Sequence, residues 1–418
     1  TGTLCRNSTG PNAGRRGGDC GGLMPGPLTS LKVLDFSTLL PGPYASMVLA
    51  DLGAEVLRVE SPTRPDMVRH IPPADGTTSA AHAQLNRNKR SLALDLKKPG
   101  TPEVIHRLVA DFDIVLEQFR PGVMDRLGVG YDALREHNPA LIYCAITGYG
   151  QSGPFRNRAG HDINYLALSG ISDASRRRGA APVPWGIQVA DVAGGAHHAV
   201  MAILAAVVHR QHSGEGQYLD VSMTDAVFAM QAVSGSSALS GGEPPAAESW
   251  QLNGGSFYDF YGTQDGRWFS VGSLEPQFLQ RLLAVLELEP PKGLSAHNVE
   301  SQQCLKRTIR NRFLERTHAE WCEAFKEVDA CVEPMLSFEE AQEHPQLKSR
   351  ALVVEVPDSV GTTRQQLATP LRFSQTPPHY RHTGGPVGEH TVKVLLGLGY
   401  TDEKIQELLK DKAAHQSS

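Results

Sequence analysis

Cysteine is scarce in this chain. Six among 418 residues (Cys5, Cys20, Cys144, Cys304, Cys322, Cys331) are irregularly spaced, and with no Cys-x-x-Cys pair they point to neither a zinc site nor a redox motif. They read as reduced thiols of a cytosol-like compartment. An excess of charge of one sign is also missing. With 40 Lys and Arg against 45 Asp and Glu, the net charge of -5 leaves no basic footprint for phosphate-backbone binding, so nucleic acid is not expected as a partner. Long apolar runs are absent as well. The most apolar stretch, residues 199–208, stops at His209-Arg210, short of the roughly 20 residues that a membrane span requires. There is no P-loop, no Gly-x-Ser-x-Gly elbow and no His-Glu-x-x-His helix. A Gly148-x-Gly150-x-x-Gly153 run follows an apolar strand, but Pro154 stands where a dinucleotide fingerprint needs a helix start, which excludes a nicotinamide site. No internal repeat is visible.

The two ends stand apart from the rest. Residues 1–23 are rich in Gly, Arg and Asn and lack hydrophobic periodicity, and they read as a non-native leader or a disordered segment, with the native start near Met24. The tail His415-Gln416-Ser417-Ser418 is not a Ser-Lys-Leu peroxisomal address. Together with the reduced thiols this points to the cytoplasm, an organellar matrix being the alternative.

What is present is a strand–helix–strand rhythm. The short apolar run 31–36, the helical pattern 44–52 closed by Gly53, and the run 55–60 form a βαβ unit, whose right-handed crossover makes the two strands parallel. Strands at 91–96, 114–117 and 141–146 and a helix at 101–111 continue the pattern. An α/β fold with a Rossmann-like, mainly parallel sheet follows, as a large domain over 24–222. Gly, Ser and Pro then accumulate between 234 and 248. Beyond them, runs 256–261 and 268–271 face each other across Asp265-Gly266, and helices are predicted at 277–286, 302–315 and 318–328. This is a smaller α+β domain over 223–369, and residues 370–418 return to the large one.

Two polar junctions carry candidate chemistry. Gly160-His161-Asp162 opens an apolar run at Tyr165, and Asp191 precedes Gly194-Gly195 and the apolar helix 196–209. By position alone, His161 reads as a loop or cap residue and Asp191 as an N-cap, although a helix start is also a good place for a functional carboxylate.

Several blocks in order decide between these readings: Gly42-Pro43, Asp51-Leu52-Gly53-Ala54-Glu55-Val56, Asn86-Arg87-Asn88-Lys89-Arg90-Ser91, Arg120-Pro121-Gly122-Val123 and Gly214-Glu215-Gly216-Gln217. From Leu31 to Gly397 the chain resembles the family III CoA-transferases (CaiB/BaiF). Within that family, residues 159–165, Asn253-Gly254-Gly255, residues 274–278 and 329–334 resemble the α-methylacyl-CoA racemase branch. The resemblance implies an isomerase of lipid metabolism that inverts 2-methylacyl-CoA thioesters through an enolate. His161 and Asp191 would be the bases on opposite faces of the α-carbon, with Glu275 orienting and charging the histidine. Gly194 and Gly195 are candidate amide donors to the enolate oxygen.

Arg58, Leu94, Leu96, Lys97, Arg120, Asp162 and Tyr165 would hold coenzyme A, which is part of the substrate, and neither a separate cofactor nor a metal is implied. Ser61 stands where racemases carry a second arginine, and Arg64 or Arg69 could substitute for it. The implied assembly is an interlocked homodimer, with Glu275 completing the partner's site. Met223, Met230 and Phe257-Tyr258 are candidates for an apolar acyl pocket. In the transferases of this fold the carboxylate at the Asp191 position is a nucleophile that forms an anhydride and then a thioester, so His161 is what separates the two reactions. Leu40 replaces the glutamine of the oxalate-type transferases.

Overall fold

The structure, a computed structural model, describes residues 26–75, 78–359 and 361–417; the expected leader, residues 1–23, lies outside them. The first βαβ unit sets the frame. Strand β1 (Lys32–Asp35) leads to helix α1 (Pro41–Asp51), which carries proline in its first turn, where the missing N–H costs nothing. The helix stops at Gly53, whose φ of 105° suits glycine, and β2 (Glu55–Glu60) follows. Strands β3 (Lys89–Leu94), β4 (Ile114–Glu117), β5 (Ile142–Thr147) and β6 (Tyr218–Ser222) complete a parallel set. A two-residue strand near the C-terminus, Ala414–His415, closes the sheet antiparallel to β3, with Ala414 opposite Leu94.

From that edge the order is β3-β2-β1-β4-β5-β6. The chain winds outward from β1 to β3, then crosses back to lay β4 on the other side of β1, so the sheet changes direction between β1 and β4. Open α/β sheets bind ligands in the crevice that this reversal opens at the carboxyl ends of the strands.

Alternation along each strand fills both faces. Val33, Val56, Leu116 and Cys144 join α1 in one core, while Leu34, Leu57, Val115 and Tyr143 join α2 (Thr101–Val109) in the other. That second core also takes Val394, Leu395, Ile405 and Leu408 from the last two helices. The first core receives a long helix that starts as a π-helical run, Ala190–His197, and continues as an α-helix, His198–Ser213. At 24 residues it is longer than the apolar run predicts and meets the length and composition of a membrane span, but 44% of its most apolar window is buried in this core.

A separate core forms around β7 (Asp259–Gly262), β8 (Trp268–Val271) and β9 (Val332–Pro334), an antiparallel sheet in the order β9-β8-β7. Helices Pro276–Leu286, Val299–Phe313 and His318–Phe325 pack on it through Leu282, Ile309, Phe313 and Trp321.

The block Asn86–Lys89 ties these parts together. The fully buried Arg87 guanidinium pairs with Asp51 of α1 at 2.6 Å and donates to the Leu367 carbonyl at 2.6 Å. The Asn88 amide donates to Asp51 at 2.9 Å and to the His379 carbonyl at 2.8 Å. Lys89 reaches Asp35 at 3.3 Å and the Pro43 carbonyl at 3.0 Å. This block therefore fastens α1, the sheet and the returning C-terminal segment to one another.

Candidate active site

A cavity of about 300 Å³ opens at the sheet reversal. Leu39 and Pro41 follow β1, Gln118 to Pro121 follow β4, Thr147 ends β5 and Gly148 and Tyr149 follow it; all line the cavity, as do Arg156, Arg158, Gly160, His161, Tyr165, Asp191 and Met223. The fold thus brings His161 and Asp191, 30 positions apart, to one hollow.

Local chemistry fixes both. His161 is the last extended residue before the helix Asp162–Leu168, and its N–H donates to the Asn164 side chain at 3.0 Å. The next residue, Asp162, accepts from the N–H of Ala190 at 2.6 Å and from that of Asp191 at 3.1 Å through one carboxylate oxygen. Asp162 therefore caps the π-helical run, and Asp191 sits one residue inside it. This corrects the expectation that Asp191 is the N-cap. Its carboxyl is free to face the cavity while its backbone is tied to the neighbour of His161. Burial pushes the Asp191 carboxyl up to about 6, and the charge of Asp162 adds to this while His161 opposes it.

Tyr165 closes one wall. Its hydroxyl donates to the Gly160 carbonyl at 2.6 Å, and its ring meets Tyr149 edge-on at 5.2 Å. A Cβ at Gly160 would lie 2.6 Å from the Tyr165 ring and one at Gly148 would lie 2.5 Å from it, so glycine at both positions is what lets the ring in. Burial, then the nearby Asp191, raises the phenol above its ordinary range.

Other expected residues are placed differently. The Arg58 side chain is buried, paired with Asp66 at 2.5 Å and bonded to His82 at 2.9 Å. Both terminal nitrogens of its guanidinium are engaged inside the protein, and the side chain does not line the cavity. Arg69, a candidate substitute, is likewise buried and paired with Glu60 at 2.5 Å, whereas Arg64 is exposed. Leu94 packs in the core with Leu96 against it, and Lys97 is exposed just beyond β3; none of the three lines the cavity.

Gly194 and Gly195 lie inside the π-helical run, not at its start. Cβ atoms there would meet Met223 and Val227 or Pro41 at 3.0–3.1 Å, so glycine at both positions serves close packing. Glu275 is exposed at the start of Pro276–Leu286, the helix that packs on the separate antiparallel sheet. Within one chain it is not brought to His161 and Asp191. Arg120 lines the cavity as expected for a cation that meets phosphate. Arg156 and Arg158 were not legible as site residues, although two arginines in the short link before Gly160-His161 were a signal.

The profile of CoA-transferase family III matches residues 28–391. The chain belongs to that family. It is similar to an alpha-methylacyl-CoA racemase of Homo sapiens, 37% identical over 388 residues that cover 92% of this chain and 97% of the relative. It is also similar to a succinate–glutarate CoA-transferase of Agrobacterium fabrum, 34% identical over 388 residues, 89% of this chain and 96% of the relative. Among solved structures, a CaiB/BaiF family protein from Brucella suis matches with a TM-score of 0.78 at 27% identity, covering 90% of this chain and 100% of that one. Acyl-CoA substrates fit the family. A racemase and a transferase stand at comparable identity, so the division between the two reactions falls to individual residues.

Proposed function

We propose that this family III enzyme is a 2-methylacyl-CoA racemase that moves the α-proton between His161 and Asp191 through an enolate. The observation that carries this reading is the convergence of the imidazole and a carboxyl raised to about 6 on one cavity. A group that titrates near the working pH is effective both in taking and in giving a proton. One base removes the α-proton, the thioester carbonyl takes up the charge as an enolate, and the other group returns a proton to the opposite face. No metal or nucleotide enters the balance.

A transferase reading is favoured by the other half of the same observation. Asp191 at the cavity is a carboxylate that could attack the thioester carbonyl and carry the acyl group as an anhydride. That chemistry has no task for His161, which is why the racemase reading is preferred. The Glu275 side chain, exposed and outside the lining of this cavity, fits this reading as the partner's contribution in an interlocked homodimer.

The test is incubation of each pure epimer of a 2-methylacyl-CoA in heavy water with no second acid present. Deuterium entry at the α-carbon with inversion is expected. A rate equal to the buffer blank across short, long and steroid acyl chains refutes the reading, and CoA transfer to an added carboxylate would replace it with the alternative.

A further inference from the structure

A diphosphate needs cations that are not already paired. With Arg58 and Arg69 locked into internal ion pairs and Lys97 outside the cavity lining, the cationic side chains left at the cavity are Arg120, Arg156 and Arg158. All three are exposed, and among the described residues none is ion-paired to a carboxylate.

Two of them have defined surroundings. The Arg158 guanidinium lies 4.4 Å from the centre of the Phe155 ring, a stacking that orients the planar fork while leaving its edge donors free. Arg156 also borders a hollow lined by Glu117, Asp125 and Asp132. Burial raises the Glu117 carboxyl to about 8, so that one of the three carboxyls is mainly neutral at pH 7. Arg120 lines the same cavity, just after β4.

We propose that Arg156 and Arg158, with Arg120, form the subsite for the diphosphate of the CoA moiety, taking the role that the buried Arg58 cannot fill. The assignment rests on the reading that the substrate is a CoA thioester. It requires only binding and positioning of the diphosphate, since arginine forks match phosphate oxygens in bidentate fashion.

The experiment uses the full-length protein and three variants: Arg156→Gln, Arg158→Gln and the double variant. Coenzyme A is titrated by calorimetry, and turnover is followed with a 2-methylacyl-CoA and with the matching pantetheine thioester, which lacks the diphosphate. Each single change is expected to weaken CoA binding about tenfold and the double change roughly a hundredfold, as for loss of charged hydrogen bonds. KM for the pantetheine thioester should stay at the wild-type value. The subsite is overturned by CoA binding within about twofold of wild type in the double variant, a change below what one charged hydrogen bond contributes. It is equally overturned by parallel losses with both thioesters, since those would mark a general defect in folding or thioester binding. If the wild type binds CoA but inverts nothing, the racemase reading fails while the titration still decides the subsite.

Discussion

Replacing Asp191 by asparagine keeps shape and removes the proton acceptor, and its consequences follow from proton counting. In a two-base exchange the enzyme holds one proton over the pair, as carboxylate and imidazolium for one epimer and as carboxylic acid and neutral imidazole for the other. Both forms contain the same number of protons, and the epimer equilibrium consumes none. The pH profile of kcat/KM must therefore be the same in both directions. Its acid limb marks entry of a second proton into the pair and belongs to the pair as a whole. With Asp191 raised to about 6 by burial, activity is lost as pH falls through that value. One unit below the limb, roughly a tenth of the plateau should remain.

In Asp191→Asn, inversion should fall by about 10²–10⁴-fold, the usual contribution of a general acid or base. Solvent exchange with retention should persist for the epimer whose α-proton faces His161. The assay follows deuterium uptake and chirality together for each pure epimer between pH 5 and 9. Inversion near the wild-type rate in the asparagine variant refutes the assignment.

Three further outcomes are expected. His161→Ala should retain exchange only for the opposite epimer, whereas under a transferase mechanism the same variant would transfer CoA almost normally; chiral analysis beside a transfer assay separates the two. Co-expressed His161→Ala and Glu275→Ala chains should recover one intact site per heterodimer, and verified heterodimers no more active than either single variant would remove Glu275 from the partner's site. Arg87→Met should destabilise the fold by about 3–5 kcal/mol, the cost of stranding a buried partner charge, here Asp51; denaturant unfolding measures it, and a loss under about 1 kcal/mol, typical of an exposed pair, contradicts the clamp.

The sheet was legible where periodicity was strong. The runs 55–60 and 114–117 are strands with those bounds, because both faces of these central strands are buried and the residues are uniformly apolar or paired. Strand β6, Tyr218–Ser222, was missed because it lies at the sheet edge, where only its last two residues are buried and its polar positions break the pattern. The long helix was underestimated at its start, since Asp191, Gly194 and Gly195 read as a junction and instead form π-helical backbone. The resemblance drew attention to His161 and Asp191, and the fold brings them to one cavity. It also marked Arg58, whose identity fits a phosphate ligand but which is buried with its terminal nitrogens engaged by Asp66 and His82. A sequence match conveys which residue is present, whereas its free hydrogen-bonding capacity depends on neighbours such as Asp66 that no motif includes.

That distinction bears on why one family contains both a racemase and a transferase. At neutral pH a carboxyl titrating near 6 is mainly ionised, so Asp191 is equipped to act as a base or as a nucleophile, and its pKa does not choose between them. The targets differ little in position, because the α-carbon and the thioester carbonyl carbon are bonded neighbours about 1.5 Å apart. A thioester shifted by one bond length along the cavity would present one atom or the other to the same oxygen. The outcome then depends on what faces Asp191 across the substrate and on what fixes the thioester along its length. His161 supplies the first in this chain. The second falls to contacts at the cavity wall and rim, where Tyr165 is held against Gly160 and where the three unpaired arginines would grip the far end of the CoA chain. Loosening that grip should therefore impair proton transfer with the CoA thioester more than with a thioester that never used it.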